Sequence, residues 1–176
     1  MSDAKSGEVR WGIRATGGRR TGAMTASLDA PAPDFTLAGR SPDGTTSDFS
    51  LADFRGKKVV LVFYPGDFTP VCTKQLCSYR DQFAEFEGVD ATVLAISPQG
   101  VESHDKFASR FNFPFPLLAD PDQTVGKAYG ITGPLGYKRA VFVIDEHGVL
   151  RWKHVAALVG VTYKGARTLV DVVSSL

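Results

Sequence analysis

The sequence predicts a three-layer α/β fold, in which a central mixed β-sheet is flanked by helices. Short runs of Val, Ile, Leu and Phe alternate along the chain with longer segments whose apolar residues recur every three or four positions. The short runs are typical of strands buried on both faces, and the longer segments are typical of amphipathic helices. Turn sequences near both ends of this pattern predict hairpins, which add antiparallel strands to the sheet.

Composition limits the classes of function. Of the 176 residues, 43% are hydrophobic and 22% are charged, and the net charge is +1. These values are typical of a globular domain and give no reason to expect binding to nucleic acid or to an anionic membrane. The sequence has neither an apolar run that could span a membrane nor an apolar N-terminal signal segment. We therefore expect a cytoplasmic protein.

Residues 1–27 are predicted to be a flexible tail, and residues 28–176 a single domain. The tail shows no sustained apolar periodicity, and its five basic residues outnumber its two acidic ones. Just after it, residues 34–38 and 45–49 predict two strands around the turn sequence at residues 41–44. The domain is thus expected to open with an N-terminal β-hairpin.

A central strand and a helix follow the hairpin. Residues 58–64 contain an unbroken apolar run, which predicts a strand buried on both faces. The strand ends at Pro65-Gly66-Asp67, and helical spacing of apolar residues then runs from Cys72 to Phe86. The remaining pattern predicts a strand at residues 92–96, helices at 101–111 and 123–129, paired strands at 140–144 and 149–154, and a closing helix at 166–173.

The junction between the central strand and this helix carries the predicted chemistry. Thr69 is a favoured N-cap residue and Pro70 a favoured first helical residue, so Cys72 falls in the first turn. The unpaired N–H groups and the dipole at a helix N-terminus favour an anion, which for a cysteine is the thiolate. The position of Cys72 therefore predicts a reactive thiol.

A helix terminus alone is too weak to keep a thiol ionised. It stabilises an anion by about 0.3 to 1 kcal/mol, whereas ionising an ordinary thiol fully at neutral pH takes about 3.4 kcal/mol. A cationic partner is therefore expected, and a guanidinium keeps its charge in a half-buried pocket better than an ammonium does. Arg139 is the first candidate, because it begins a predicted strand whose end adjoins the active-site loops. Arg80 and Arg55 are the alternatives.

Cys77 follows Cys72 by five residues. On a continuous helix the two Cα atoms would lie about 8.6 Å apart, which is farther than the roughly 7 Å that a disulfide spans. A bond between the two thiols would require the first turns of the helix to unwind, so the pair would be a conformational switch as well as a redox couple. Taken alone, each cysteine could instead be a small buried core residue, which is a common role of a free cysteine.

One motif in this region carries a family resemblance. The run Pro65-x-x-x-Thr69-x-x-Cys72 resembles the active-site signature of the peroxiredoxins, which are thiol peroxidases with a thioredoxin-like fold. With Cys77 as a second cysteine, the surrounding string resembles the peroxiredoxin Q or bacterioferritin comigratory protein branch. The resemblance extends over residues 28–176. Its further landmarks are the sequences at residues 103–108, 115–120 and 139–145.

The resemblance implies a redox cycle at the two cysteines. Cys72 would be the peroxidatic cysteine, which hydrogen peroxide or an organic hydroperoxide oxidises to a sulfenic acid. Cys77 would be the resolving cysteine, which forms an intramolecular disulfide with it. Thioredoxin or a similar dithiol would then reduce this disulfide. Thr69 and Arg139 would hydrogen-bond the thiolate and the peroxide.

The resemblance also implies roles for residues next to the two cysteines. Pro65 would shield the pocket from water, and backbone N–H groups near Val71 would bind the substrate. Gln75 could contribute, although its place on the helix favours a solvated side chain. The resemblance implies no metal and no organic cofactor, and it is compatible with a monomer or a weak homodimer.

The remaining candidate residues are expected to be structural. The histidines lack the short spacing of a metal site, and two cysteines are too few for tetrahedral zinc, so we expect all three histidines at the surface or in turns. Nearby phenylalanines are expected in the core or in the pocket wall. These residues are His104, His147 and His154, and Phe107, Phe111, Phe113 and Phe115.

Two other functions stay open at this point. A general thiol–disulfide oxidoreductase or redox sensor would use the same cysteines on protein partners, although such proteins mostly have only two residues between their cysteines. A non-catalytic domain with buried thiols would show no unusual thiol reactivity.

Overall fold

A computed structural model describes residues 25–157 and 162–176. The strands are β1 (Thr36–Arg40), β2 (Thr46–Ser50), β3 (Lys58–Phe63), β4 (Ala91–Ser97), β5 (Leu117–Ala119), β6 (Thr132–Gly133), β7 (Gly136–Tyr137), β8 (Ala140–Ile144) and β9 (Leu150–Val155). The helices are α1 (Pro70–Asp81), α2 (Phe83–Glu87), α3 (Val101–Phe111), α4 (Thr124–Ala128) and α5 (Ala166–Ser174), and Leu51–Phe54 forms one turn of 3₁₀ helix. No helix in the described ranges is long and apolar enough to cross a membrane.

The main sheet is mixed, as predicted. Seven strands lie in the order β2-β1-β5-β4-β3-β8-β9, while β6 and β7 form a separate two-stranded ribbon. At the centre, β3 pairs in parallel with β4 and antiparallel with β8. The predicted N-terminal hairpin is present as β1 and β2, and the predicted second hairpin as β8 and β9.

Alternating residues of β3 divide the core into two apolar clusters. Val60 and Val62 face a cluster that includes residues of α1, α2, α3 and α5, whereas Leu61 and Phe63 face one that includes Val125 of α4. A strand has a side-chain period of two, so a run that is apolar at every position must be covered on both faces. The predicted three-layer arrangement is confirmed.

Three elements differ from the sequence prediction. The strand β5 has only three residues, which is too short for an apolar pattern to identify. The predicted single helix after Cys72 divides into α1 and α2 at Gln82, where φ is −113° and ψ is 21°. The apolar spacing continues across this break and keeps Phe86 fully buried, so the pattern alone could not reveal it. The short ribbon of β6 and β7 was also not predicted.

The antiparallel pairing of β3 with β8 positions the candidate site. Phe63, at the end of β3, lies opposite Ala140, at the start of β8. Arg139 precedes Ala140, so it lies where the chain leaves β3 and turns toward α1. The C-terminal end of β3 and the N-terminal end of β8, which are far apart in the sequence, therefore lie side by side.

Most of the predicted N-terminal tail lies outside the described residues, but its last three residues are described. Ala26 is buried, its N–H donates to the carbonyl of Ala128 at 3.0 Å, and its carbonyl accepts from the Lys153 ammonium at 3.3 Å. The chain therefore packs against the domain two residues before the predicted boundary.

Removing residues 1–27 is expected to lower the free energy of unfolding by about 2–3 kcal/mol relative to removing residues 1–24. The longer deletion removes the buried methyl group of Ala26 and its hydrogen bonds, and these contributions are about 1 kcal/mol each. Urea unfolding of both truncated proteins beside the full chain measures the difference. Equal stability of the two truncated proteins would contradict the prediction.

Candidate active site

The N-terminus of α1 has the predicted cap residues. Thr69 is the N-cap residue with extended backbone angles, and Pro70 is the first helical residue. The Thr69 hydroxyl does not cap the helix; it donates instead to the carbonyl of Gly66 at 3.1 Å. Cys72 lies in the first turn and is only 1% exposed. The thiol is thus held at the positive end of the helix and away from bulk water.

Arg139 is the cation that the structure brings to Cys72. Its Nη2 donates to the Cys72 Sγ at 3.2 Å, and the side chain is buried. The two alternative arginines bind elsewhere. Arg80 donates to the carbonyl of Phe111 at 2.7 Å, and Arg55 donates to the carbonyl of His147. The geometry thus places a buried guanidinium within hydrogen-bond distance of the sulfur, as the prediction of a cationic partner requires.

Gln75 links this arginine to the rest of α1. The expectation of a solvated side chain is wrong, because Gln75 is fully buried. Its amide oxygen accepts from Nη1 of Arg139, and its amide nitrogen donates to the Tyr79 hydroxyl at 3.0 Å. That hydroxyl donates in turn to the carbonyl of Lys164 at 2.6 Å. Gln75 lies three residues after Cys72 and four residues before Tyr79, and residues at this spacing share one face of a helix. The sequence could therefore have indicated that Gln75 is buried beside them.

Cys77 lies on the same continuous helix as Cys72, and both thiols are free. Its half-buried side chain packs against the core cluster on this side of the sheet. Burial raises the pKa of Cys77, while nearby Arg80 lowers it by a smaller amount. The distance between the Cα atoms of the two cysteines on an intact helix, about 8.6 Å, exceeds the reach of a disulfide. The structure is therefore that of the reduced, helical form.

Cys77 is expected to react more slowly with iodoacetamide in the folded protein than in the denatured protein. Burial raises its pKa, so a smaller fraction is thiolate at any pH below that value, and the thiolate is the nucleophile. The measurement follows alkylation of the Cys72→Ser variant from neutral to alkaline pH, folded and in denaturant. The midpoint of the folded profile should lie at the higher pH, and coincident midpoints would contradict the prediction.

Other predicted residues lie around this centre. Pro65 and Val71 are both half-buried, next to the loop and the first turn of α1. Phe68 has a left-handed backbone with φ of 61° and is 48% exposed, and its ring lies 5.0 Å from that of Phe107. The phenylalanines at 107, 113 and 115 are buried in the core, as expected. The loop before Cys72 thus presents one apolar ring to solvent.

The sequence did not indicate the buried contact between His104 and Asp67. The expectation that His104 lies at the surface or in a turn is wrong, because it is a fully buried residue of α3. It contacts Asp67, which is also buried and lies in the loop between β3 and α1. His147 is exposed as expected, and His154 is half-buried on β9. A buried carboxylate and imidazole leave no local sequence signal, since their partner residues are distant in the chain.

Comparison with known proteins identifies related sequences. A model of the AhpC/TSA family matches residues 28–153. Peroxiredoxin Bcp of Bacillus subtilis (strain 168) is 36% identical over 142 residues, which cover 75% of this chain and 88% of that protein. The chloroplastic peroxiredoxin Q of Oryza sativa subsp. japonica is 38% identical over 140 residues, which cover 78% of this chain and 63% of that protein.

Solved structures share the same architecture. The reduced 2-Cys peroxiredoxin of Plasmodium vivax has a TM-score of 0.79 at 22% identity, covering 84% of this chain and 94% of the other. AhpC of Mycobacterium bovis has a TM-score of 0.76 at 22% identity, covering 86% of this chain and 92% of the other. These similarities confirm the thioredoxin-like fold. Together with the family model and the curated relatives, they lead to one conclusion: this chain belongs to the AhpC/TSA family, and both of the curated relatives described above are named peroxiredoxins.

Proposed function

We propose that this chain is a thiol-dependent peroxidase that reduces hydrogen peroxide and organic hydroperoxides through Cys72. The observation that carries the proposal is the 3.2 Å contact between the Arg139 guanidinium and the Cys72 sulfur at the N-terminus of α1. A thiolate held by a buried cation is a strong nucleophile, and the same cation can stabilise negative charge on a bound peroxide.

The first step is nucleophilic attack by the Cys72 thiolate on the terminal oxygen of the hydroperoxide. A sulfur–oxygen bond forms, the O–O bond breaks, and the leaving alkoxide or hydroxide takes a proton to become an alcohol or water. Arg139 stabilises the charge as it moves from sulfur to the leaving oxygen. Thr69, Pro65 and the backbone near Val71 border the space where the peroxide would bind, with Gln75 orienting the guanidinium.

The second step joins the two cysteines. The Cys77 thiol attacks the Cys72 sulfenic acid, forms a disulfide and releases water. Because the reduced helix keeps the two residues too far apart, α1 must unwind locally before this bond forms. A dithiol donor such as thioredoxin then reduces the disulfide by exchange, and the helix re-forms.

Each chain carries the complete set of reacting groups. Cys72, Cys77, Thr69 and Arg139 all belong to one chain, and the sulfur–guanidinium contact needs no second copy. A monomer or a weak homodimer is therefore sufficient for the cycle. We assign the activity to the cytoplasm, because a reducing compartment is needed to return both cysteines to the thiol form.

The test is stopped-flow mixing of the reduced protein with a stoichiometric amount of hydrogen peroxide, followed by mass spectrometry. The expected result is peroxide consumption much faster than by a free thiol, with loss of two hydrogen atoms at a Cys72–Cys77 disulfide. A rate no greater than that of a free thiol would overturn the proposal. Rapid exchange with protein disulfides in the same preparation would then favour a thiol–disulfide oxidoreductase.

A further inference from the structure

Three side chains converge on the buried carboxylate of Asp67, in the loop between β3 and α1. One carboxylate oxygen accepts from the Tyr64 hydroxyl at 2.7 Å. The other accepts from the Ser103 hydroxyl at 2.7 Å and lies 2.8 Å from Nδ1 of His104. We call these four residues, Tyr64, Asp67, Ser103 and His104, the Asp67 latch.

Both ring nitrogens of His104 have a polar partner within hydrogen-bond distance. Nε2 of His104 lies 3.0 Å from the carbonyl oxygen of Leu118. A carbonyl oxygen can only accept, so Nε2 carries a hydrogen, and Nδ1 faces a second acceptor in the carboxylate of Asp67. Removing either Asp67 or His104 leaves the other buried polar side chain without this contact, which is costly inside a protein.

The latch connects the loop between β3 and α1 to α3, which packs in the same core cluster as α1. Asp67 precedes the N-cap residue Thr69 by two positions, whereas Ser103 and His104 belong to α3. Through the Leu118 carbonyl, the same histidine is also tied to β5. None of the hydrogen bonds described for the latch involves the Cys72 sulfur, although Tyr64 lies close enough to that thiol to interact with it electrostatically. Asp67 and His104 therefore act on the conformation of the loop and not on the reacting atoms.

This location bears on both steps of the cycle. Contact between Cys72 and Arg139 requires the first turn of α1 to be folded, as it is when the Thr73 N–H donates to the Thr69 carbonyl at 2.9 Å. Disulfide formation requires that turn to open. By fixing residue 67, the latch holds the chain entering α1 in the geometry of the folded form.

We propose that Asp67 and His104 are positioning residues that set the balance between the folded form of α1, which reacts with peroxide, and the unwound form, which forms the disulfide. This inference rests on the proposed peroxidase function. Its consequence is that weakening the latch affects the two steps in opposite directions: oxidation of Cys72 becomes slower, and condensation of the sulfenic acid with Cys77 becomes faster.

The main variants are Asp67→Ala and Asp67→Asn. The alanine variant removes the acceptor of Tyr64, Ser103 and His104 together. The asparagine variant keeps the shape, since its amide oxygen can accept from Tyr64 while its amide nitrogen donates to Nδ1 of a neutral His104. Asp67→Asn should therefore restore most of what Asp67→Ala loses. His104→Gln, which removes the imidazole and its bond to Leu118, is a second variant that acts from the other partner.

A stopped-flow experiment with quenched mass spectrometry separates the two rates. Asp67→Ala is expected to slow sulfenic acid formation by about 10- to 100-fold, as misplacement of a reacting group does, and to shorten the lifetime of the sulfenic acid. Under excess peroxide the variant should also accumulate less sulfinic acid, because faster condensation competes with further oxidation. The matched control is Phe113→Leu, which alters a buried ring next to α3 that stacks on Phe115 and should lower stability without changing the ratio of the two rates.

The outcomes are distinguishable. Opposite changes in the two rates, with recovery in Asp67→Asn and no change of ratio in Phe113→Leu, support the latch. Parallel slowing of both rates, or no recovery in Asp67→Asn, overturns it. If Asp67→Ala does not fold, His104→Gln decides the question by the same ratio. A wild-type protein that reacts with peroxide no faster than a free thiol overturns the proposed function itself, which is a separate result.

Discussion

Replacing Cys72 with serine is expected to abolish peroxide reduction, whereas replacing Cys77 with serine should leave one round of reaction and block recycling. A serine hydroxyl is not ionised at neutral pH and cannot replace a thiolate as the nucleophile. Cys77 takes no part in breaking the O–O bond, so its loss leaves the first oxidation intact. The sulfenic acid formed in the Cys77→Ser variant then lacks its intramolecular partner.

Two measurements separate these roles. Stopped-flow mixing with stoichiometric peroxide gives the rate of the first oxidation, and a coupled assay with thioredoxin and its reductase gives turnover. The Cys77→Ser variant should match the wild-type protein in the first assay and fail in the second, with a persistent sulfenic acid detected by mass spectrometry. Equal loss of the first oxidation in both variants would contradict the assignment of the two cysteines.

Replacing Arg139 with alanine is expected to slow the first oxidation by about 10²- to 10³-fold, which is the usual effect of removing one buried donor from a site of developing charge. The variant loses the donor that lies 3.2 Å from the Cys72 sulfur. It also leaves the amide oxygen of Gln75 without this guanidinium. Arg139→Lys should be intermediate, because an ammonium keeps the charge but cannot contact Cys72 and Gln75 in the same planar geometry.

Arg80→Ala is the matched control for this prediction. Arg80 is also an arginine close to α1, but its guanidinium binds Asp81 and the Phe111 carbonyl. Its loss should leave the rate of the first oxidation near that of the wild-type protein. Circular dichroism of both variants checks that each is folded. If Arg80→Ala slows the reaction as much as Arg139→Ala, the charge stabilisation does not depend on the contact with Cys72.

The strands and long helices could be predicted because their apolar patterns are local. β8, and β3 after Lys58, are apolar at every position and are buried on both faces, while α3 repeats apolar residues at helical spacing. Cys72 could be placed in a first turn because Thr69 and Pro70 mark the start of a helix. Patterns within one short window were sufficient for these predictions.

The polar interior could be predicted only in part. Arg139 was identified from the place of its strand in an α/β sheet, but the burial of Gln75 and His104 was missed. Each is polar and would be stable in water, so its burial depends on partners that folding brings near: Arg139 for Gln75, and Asp67 with the Leu118 carbonyl for His104. A polar residue is buried when its hydrogen bonds are satisfied there, which depends on distant parts of the chain.

The antiparallel pairing of β3 with β8 should also determine when Cys72 acquires the reactivity that we propose for it. Cys72 and Arg139 are separated by 67 positions in the sequence and meet only when β8 has joined the sheet. As a nascent chain leaves the ribosome, Cys72 emerges before Arg139. With the role that we propose for Arg139, an incomplete chain should be oxidised no faster than an ordinary thiol, and the reactive form should arise only once folding is complete.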